Sequence, residues 1–258
     1  MDSDTDAQSV AEILKDHCKT VIKDSLEFGE QLLVVRRNHV FYDCMRWFKR
    51  PDFDVEKNVK VKFLGELGAD FGGPRRECLQ KIITGLTHSG IFQGEAGYLL
   101  PSPIITKLAD KSVYNAGRMV SFVVCHGGPA PRMFHQLLVD YICGNSVPKA
   151  EDIPQSDIRA VVMKVENIGS SVGLSGVEQE VFGDVCQEIG WFQVLREENV
   201  HEFVKLVSYH YTLVKNRAYL DEFVDGLRSL GVVNLVQEHP EKMKEVLCYG
   251  PQELTADK

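Results

Sequence analysis

The sequence is short of the features that usually classify a chain at first reading. No apolar run approaches the ~20 residues that span a bilayer, and the longest surrounds Met119 to Cys125. The opening residues, MDSDTDAQ, are acidic and polar, the opposite of a signal peptide or an Arg-rich transit peptide. The seven cysteines, Cys18, Cys44, Cys78, Cys125, Cys143, Cys186 and Cys248, are odd in number and form no CxxC pair. They read as reduced thiols in a cytosolic or nuclear protein. Basic residues are in deficit, 29 against 37 acidic ones for a net charge of -8. Such a balance excludes a general nucleic-acid binder, which needs a basic surface for phosphate. A basic cluster at Arg36, Arg37, Arg46, Lys49 and Arg50 reads as a solvated helix or strand edge.

What is present suits an ordinary globular protein. The 258 residues are 44% hydrophobic and 26% charged, enough to bury a sizeable core without disulfides or metals. One large domain or two tightly packed subdomains is the natural organisation. Val10, Ile13, Leu14, Val21, Ile22 and Leu26 predict one amphipathic helix within 7–28. A short strand is expected at 32–37 and a helix over 38–49. Val59, Val61 and Phe63 alternate with Lys60, Lys62 and Leu64, the period of a strand. After a glycine-rich loop, Cys78, Leu79, Ile82, Ile83 and Leu86 share one helical face, with Pro74 in the tolerated first turn. Irregular or extended structure is expected over 94–107. Asp110 or Ser112 caps a buried helix through 120–125, and a further helix is expected over 133–142. The polar, proline-bearing stretch 144–155 reads as a connection, and four helical stripes follow it. Gly169 and Gly190 stand where two of those helices end. The fold class is α+β, mainly α-helical, with a few short strands.

Chemistry is hard to find in these residues. GADFGGP leads from a strand into a helix but has neither the Lys-Ser/Thr pair of a P-loop nor GxGxxG, so it reads as a turn that needs Gly72 and Gly73. There is no HExxH and no Cys/His cluster with zinc spacing, so no metal and no cofactor is expected. His201 and His210 are nine residues apart on opposed or oblique faces of one helix. Cys125 and His126 point about 100° apart on a helix and cannot pair directly. Cys125 ends the most apolar run, where burial makes a thiol inert, and Cys248 follows a helical apolar stripe. Glu151-Asp152 and Glu197-Glu198 sit at helix starts and read as helix-dipole and solubility residues.

The stretch 61–79, VKFLGELGADFGGPRRECL, resembles a signature of HECT-type ubiquitin ligases, carried by Phe63, Gly65, Glu66, Gly68, Asp70, Gly72, Gly73, Arg76 and Glu77. VRRNHVFYDCMRWF (35–48) resembles the family's entry helix, and GRMVSFVVCHGGP (117–129) its central buried helix. The stretch 197–231 is similar to the long helix pair near the end of its amino-terminal lobe. The resemblance covers most of the chain beyond Gln31. Beside the amino-terminal helix that the apolar spacing places within 1–30, it implies a large subdomain from 31–147 and 197–258. A small helical insert over 148–196 would then dock the ubiquitin-conjugating enzyme. On that insert the resemblance points to Leu174, Val181, Phe182, Trp191 and Phe192 as partner-binding residues, apolar and aromatic like binding hot spots. The alternative is that these five form the insert's own small core.

In the family a cysteine on a separate carboxy-terminal lobe takes ubiquitin as a thioester and passes it to a substrate lysine. That cysteine follows His-Thr or a similar pair, and none of the seven here does. No catalytic residue is therefore expected in this chain, which stops where such a lobe would begin. The expected partners are a ubiquitin-conjugating enzyme, with ubiquitin and substrate proteins beyond it, and neither nucleic acid nor membrane. A non-catalytic scaffold on the same fold is the second reading, and an unrelated helical enzyme using Cys125 or Cys248 the third.

Overall fold

The computed structural model describes residues 8–66 and 72–250. Gly68 and Asp70 of the signature lie outside the described residues, as does the final ELTADK.

Helix α1 (Val10–Val21) starts at Ser9, whose hydroxyl accepts the Glu12 N–H while the Glu12 carboxylate accepts the Ser9 N–H. The stretch read as one helix over 7–28 is broken, since a separate turn, α2 (Ser25–Phe28), follows α1. The cause is tertiary. The Lys23 N–H reaches the Glu56 carbonyl at 2.8 Å, the Lys23 ammonium bridges Asp54 and Glu56, and Asn58 donates to the Lys23 carbonyl. These bonds hold the backbone extended at Ile22, and Leu26 ends up exposed.

Strand β1 (Glu30–Val35), helix α3 (Val40–Phe48) and strand β2 (Asn58–Phe63) form a strand–helix–strand unit with the strands parallel, Glu30 opposite Asn58 and Val35 opposite Phe63. The alternation behaves as expected, with Val59, Val61 and Phe63 buried and Lys60 and Lys62 outward. Helix α4 (Gly73–Thr87) begins beyond Gly72, which sits at φ 91°, a conformation that favours glycine. It buries the predicted face of Cys78, Leu79, Ile82, Ile83 and Leu86.

The stretch 94–107 is more ordered than its composition suggests. Strand β3 (Phe92–Gln93) pairs antiparallel with β4 (Leu100–Pro101), and α5 (Ile105–Ala109) follows. Helix α6 (Ser112–Cys125) is buried along almost its whole length. Its cap residue is Lys111 at φ 59°, while the Asp110 carboxylate accepts the Ser112 N–H at 2.9 Å. Helix α7 (Gln136–Cys143) starts three residues later than predicted. The backbone at Met133–His135 is instead committed to extended pairing. Leu99 N–H donates to the Met133 carbonyl, Phe134 N–H to Leu247, and His135 N–H to Leu99.

The remainder is helical: α8 (Ser156–Ile168), α9 (Gly176–Ile189), α10 (Val200–Tyr209), a π-helical turn (His210–Val214), α11 (Arg217–Leu227), α12 (Val232–Glu238) and α13 (Pro240–Leu247). Gly169 and Gly190 close α8 and α9 in the left-handed conformation, as predicted. The result is an α+β fold, mainly helical.

Two hydrophobic clusters hold it together. The first gathers α1, α3, α4, α6, α7, the strands and α11 to α13 around Phe48, Phe122, Phe134 and Phe223. The second gathers Ile153, Val161, Val162, Val165, Leu174, Val185, Trp191, Leu195, Phe203, Val207 and Tyr211. It draws on α10 as well as on the span 148–196. A polar seam joins them. His135 faces Asp152 at 3.2 Å, Gln155 donates to Gln93, and Arg159 pairs with Glu95.

Candidate partner-docking surface

The turn after α9 is built so that two side chains anchor it and two project. Gly190 ends the helix, and the Trp191 N–H returns to the Cys186 carbonyl at 2.8 Å. Trp191 and Leu195 are buried in the second cluster, and the Trp191 ring meets Phe203 edge-on at 5.4 Å. Between them Phe192 is 87% exposed and Val194 72%. Asn199 fixes the far side, its side-chain oxygen accepting the Arg196 N–H at 2.8 Å and its amide donating to the Val194 carbonyl at 3.0 Å. An apolar side chain held out by a pinned loop loses little entropy when a partner covers it.

The five predicted docking residues separate into different environments. Leu174 and Trp191 are core residues of the second cluster. Val181 and Phe182 are half-buried against it, with Phe182 and Phe203 rings 5.5 Å apart. Phe192 stands in solvent. Val194 escapes sequence reasoning because a single apolar residue after Gln193 carries no periodicity. Exposed Glu180, Asp184, Glu197 and Glu198 stand on α9 and just after the loop, with Arg196 pairing with Glu198 at 3.5 Å, so acidic residues are in excess there.

A second unpredicted feature braces this region. Glu188, near the end of α9, accepts from Tyr211 at 2.6 Å, Lys215 at 2.8 Å and His210 at 3.1 Å, all presented by the π-helical turn and the residue after it. Burial raises the Glu188 pKa, but bonds from Lys215, Tyr211 and His210 outweigh it and hold the carboxyl at about 2. Asn216 donates to the Tyr211 and Thr212 carbonyls that the wide turn frees.

The signature residues serve a structural clamp. The Arg37 guanidinium lies 4.0 Å above the Phe63 ring, binds Glu66 at 2.7 Å and pairs with Glu77. Residue 66 and Glu77 of α4 are thereby tied to one side chain. Arg75 donates to the His126 carbonyl at 2.8 Å, which fixes α4 to the end of α6.

Most of the thiols offer little nucleophilic character. Cys125 shares a hydrogen bond with Cys18 and is buried, and both effects raise its pKa; the same bond lowers that of Cys18. Cys44 is raised by its bond to Cys78 and by burial. Burial pushes Cys248 up to about 12 and Cys186 to about 11. His126 is turned away from Cys125, its Nε2 bonded to the Val55 carbonyl at 2.8 Å. Among the described residues, no group of three or more His, Cys, Asp and Glu converges as a metal site, and no helix is long and apolar enough to cross a membrane.

No family model matches the chain. Individual relatives do. A G2/M phase-specific E3 ubiquitin-protein ligase of Macaca fascicularis is 23% identical over 244 residues, covering 90% of this chain and 34% of that protein. Its Homo sapiens counterpart is 22% identical with the same coverage. The E3 ubiquitin-protein ligase RSP5 of Emericella nidulans is 24% identical, covering 89% of this chain and 30% of its own length. The chain thus spans about a third of the length of these relatives. With the signature and the mainly helical α+β fold in hand, the chain is similar over about nine-tenths of its length to E3 ubiquitin-protein ligases, and its fold is HECT amino-terminal-lobe-like.

Proposed function

We propose that this chain is the part of a HECT-like ubiquitin ligase that docks a ubiquitin-conjugating enzyme, with the loop after α9 as the contact. In this reading 148–196 acts as the docking subdomain and 31–147 with 197–258 as its platform. Ubiquitin reaches its substrates from a cysteine that is none of the seven here. The observation that carries the proposal is Phe192, a large aromatic side chain in solvent on a loop anchored by Trp191, Leu195 and Asn199. Aromatic residues that become buried at the centre of an interface dominate binding energy. The acidic residues nearby favour a partner whose facing surface is basic. Leu174 and Trp191 contribute by holding the loop, and Val181 and Phe182 by their exposed edges.

Purified chain titrated against a panel of ubiquitin-conjugating enzymes by interferometry tests this. At least one should bind, and Phe192→Ala should weaken it about 30-fold, the ~2 kcal/mol of a hot-spot residue, without changing the melting temperature. Trp191→Ala should lower stability and affinity together. An absence of binding to every member at about 1 mM would favour the scaffold instead.

The brace at Glu188 gives a separate expectation. Glu188→Ala leaves the Tyr211 hydroxyl and the Lys215 and His210 nitrogens without their acceptor. Hydrogen bonds to a charged group contribute roughly 1.5–3 kcal/mol, so urea denaturation should show a loss near the lower end, given the partial exposure of Glu188. An unchanged midpoint would mean that the brace does not hold in solution.

A further inference from the structure

The basic cluster beside the first strand has no part in the docking loop, and its geometry points elsewhere. β1 pairs with β2 on one side only. The Leu64 N–H donates to the Val35 carbonyl, so the odd-numbered residues of β1 turn their backbone groups toward β2. The even-numbered ones face outward. Two of these outward groups are occupied, the Val34 carbonyl by the Trp47 indole at 3.0 Å and the Arg36 N–H by Asp43 at 2.8 Å. The Leu32 N–H, the Leu32 carbonyl and the Val34 N–H have no partner among the described residues. Leu32 itself is 52% exposed. An open strand edge is a template for another strand.

Side chains around this edge define what could lie on it. Val34, Trp47 and Leu64 line a groove of about 360 Å³ that continues from the edge, with Arg36, Arg46 and Arg50 along it. On the outward face of the sheet stand Leu32, Leu64 and Lys62. Arg36 is matched by Asp43 and Arg50 by Asp52; Arg46, whose charge also acts on Asp43, and Lys62 form no direct ion pair among the described residues. Apolar positions alternating with an excess of positive charge, beside three unpaired backbone groups, suit one kind of occupant. We propose that the outer edge of β1 accepts, by strand addition, an extended segment of a partner protein in which apolar and acidic residues alternate. The backbone supplies hydrogen bonds, Leu32, Trp47 and Leu64 receive the apolar side chains, and Arg46 and Lys62 select the carboxylates.

The probe is a fluorescein-labelled hexapeptide amide alternating glutamate and valine, read by anisotropy against the whole chain. An otherwise identical peptide with lysine for glutamate is the comparator. The acidic peptide should bind at least about tenfold more tightly than the lysine peptide. Leu32→Pro removes one outward N–H at an edge position where proline is tolerated, and should weaken binding about tenfold or more. Arg46→Glu, at an exposed position whose change spares the fold, should narrow or reverse the preference between the peptides. Equal affinity for both peptides, no binding by about 1 mM, or indifference to both variants would overturn the proposal. So would a concentration-dependent dimer abolished by Leu32→Pro, which would make a second copy of the chain the occupant. Binding of conjugating enzymes should be unaffected by either variant, so this test and that of the docking loop fail independently.

Discussion

Gly226→Ala is expected to destabilise the protein by about 3 kcal/mol or more, although alanine is the better helix former by roughly 1 kcal/mol. The reason is the crossing of α11 over α6. A Cβ on Gly226 would stand 2.0 Å from the Tyr114 carbonyl oxygen and 3.0 Å from the Arg118 nitrogen. One on Gly117 would stand 2.2 Å from the Phe223 carbonyl oxygen and 2.8 Å from the Leu227 nitrogen. Each glycine lets the other helix's backbone touch it, and backbone cannot rotate aside as a side chain would. The crossing lies in the centre of the first cluster, between Met119, Phe122 and Phe223, so moving the helices apart opens the core. In a chain of this size the melting temperature should fall by roughly 6–12 °C. Gly183 in α9 provides the control, because nothing lies within 4 Å of the place its Cβ would take. Gly183→Ala should raise stability by up to about 1 kcal/mol. If thermal melts place the two variants on the same side of the parent, the close crossing is wrong.

The second large effect is a pH dependence centred on His126. Its Nε2 donates to the Val55 carbonyl, so Nδ1 carries the lone pair, and that nitrogen faces Arg75 at 3.5 Å. A second proton would have to enter a buried ring beside a guanidinium. Burial lowers its pKa to about 4, with the Val55 bond opposing the fall and the Arg75 charge adding a lesser push in the same direction as burial. Because the folded value lies below the unfolded one of about 6.5, the unfolded chain binds the extra proton first. The contribution to stability is complete above about pH 6.5, shrinks as pH falls, and is gone below about 4, a span worth roughly 3 kcal/mol. Carboxylates titrate in part of the same range, so the comparison is with His126→Asn, which cannot titrate. Urea denaturation should show the advantage of the parent over the variant shrinking from pH 7 to pH 4. A gap that stays constant would show that the ring is accessible to protons in the fold.

Much of the local structure was legible because burial there follows one face of one element. The alternation at Val59, Val61 and Phe63, the α4 face from Cys78 to Leu86 and the glycine ends of α8 and α9 all depend on local rules. The failures are places where a distant partner decides. Apolar spacing runs through 7–28, but Glu56 and Asn58 capture Lys23 and break the helix. Met133 to His135 could have been helical, yet Leu99 and Leu247 claim their backbone. Val214 fits the α10 stripe until the π-helical turn shifts the register and leaves it half exposed. The candidate site divides for the same reason. Trp191 and Phe192 are adjacent aromatics, and only the position of Phe203 decides which becomes an anchor and which faces outward.

The contact between α1 and the residues after α11 has a consequence for synthesis. His17 on α1 meets the Leu230 carbonyl at 2.7 Å, a separation of 213 residues, and Gly231 leaves room for its ring. A ribosome adding about 5–20 residues per second would make α1 wait on the order of ten to forty seconds for this docking site. Throughout that interval Val10, Ile13 and Leu14 form an unburied stripe, which makes α1 of the emerging chain a natural client for holding factors.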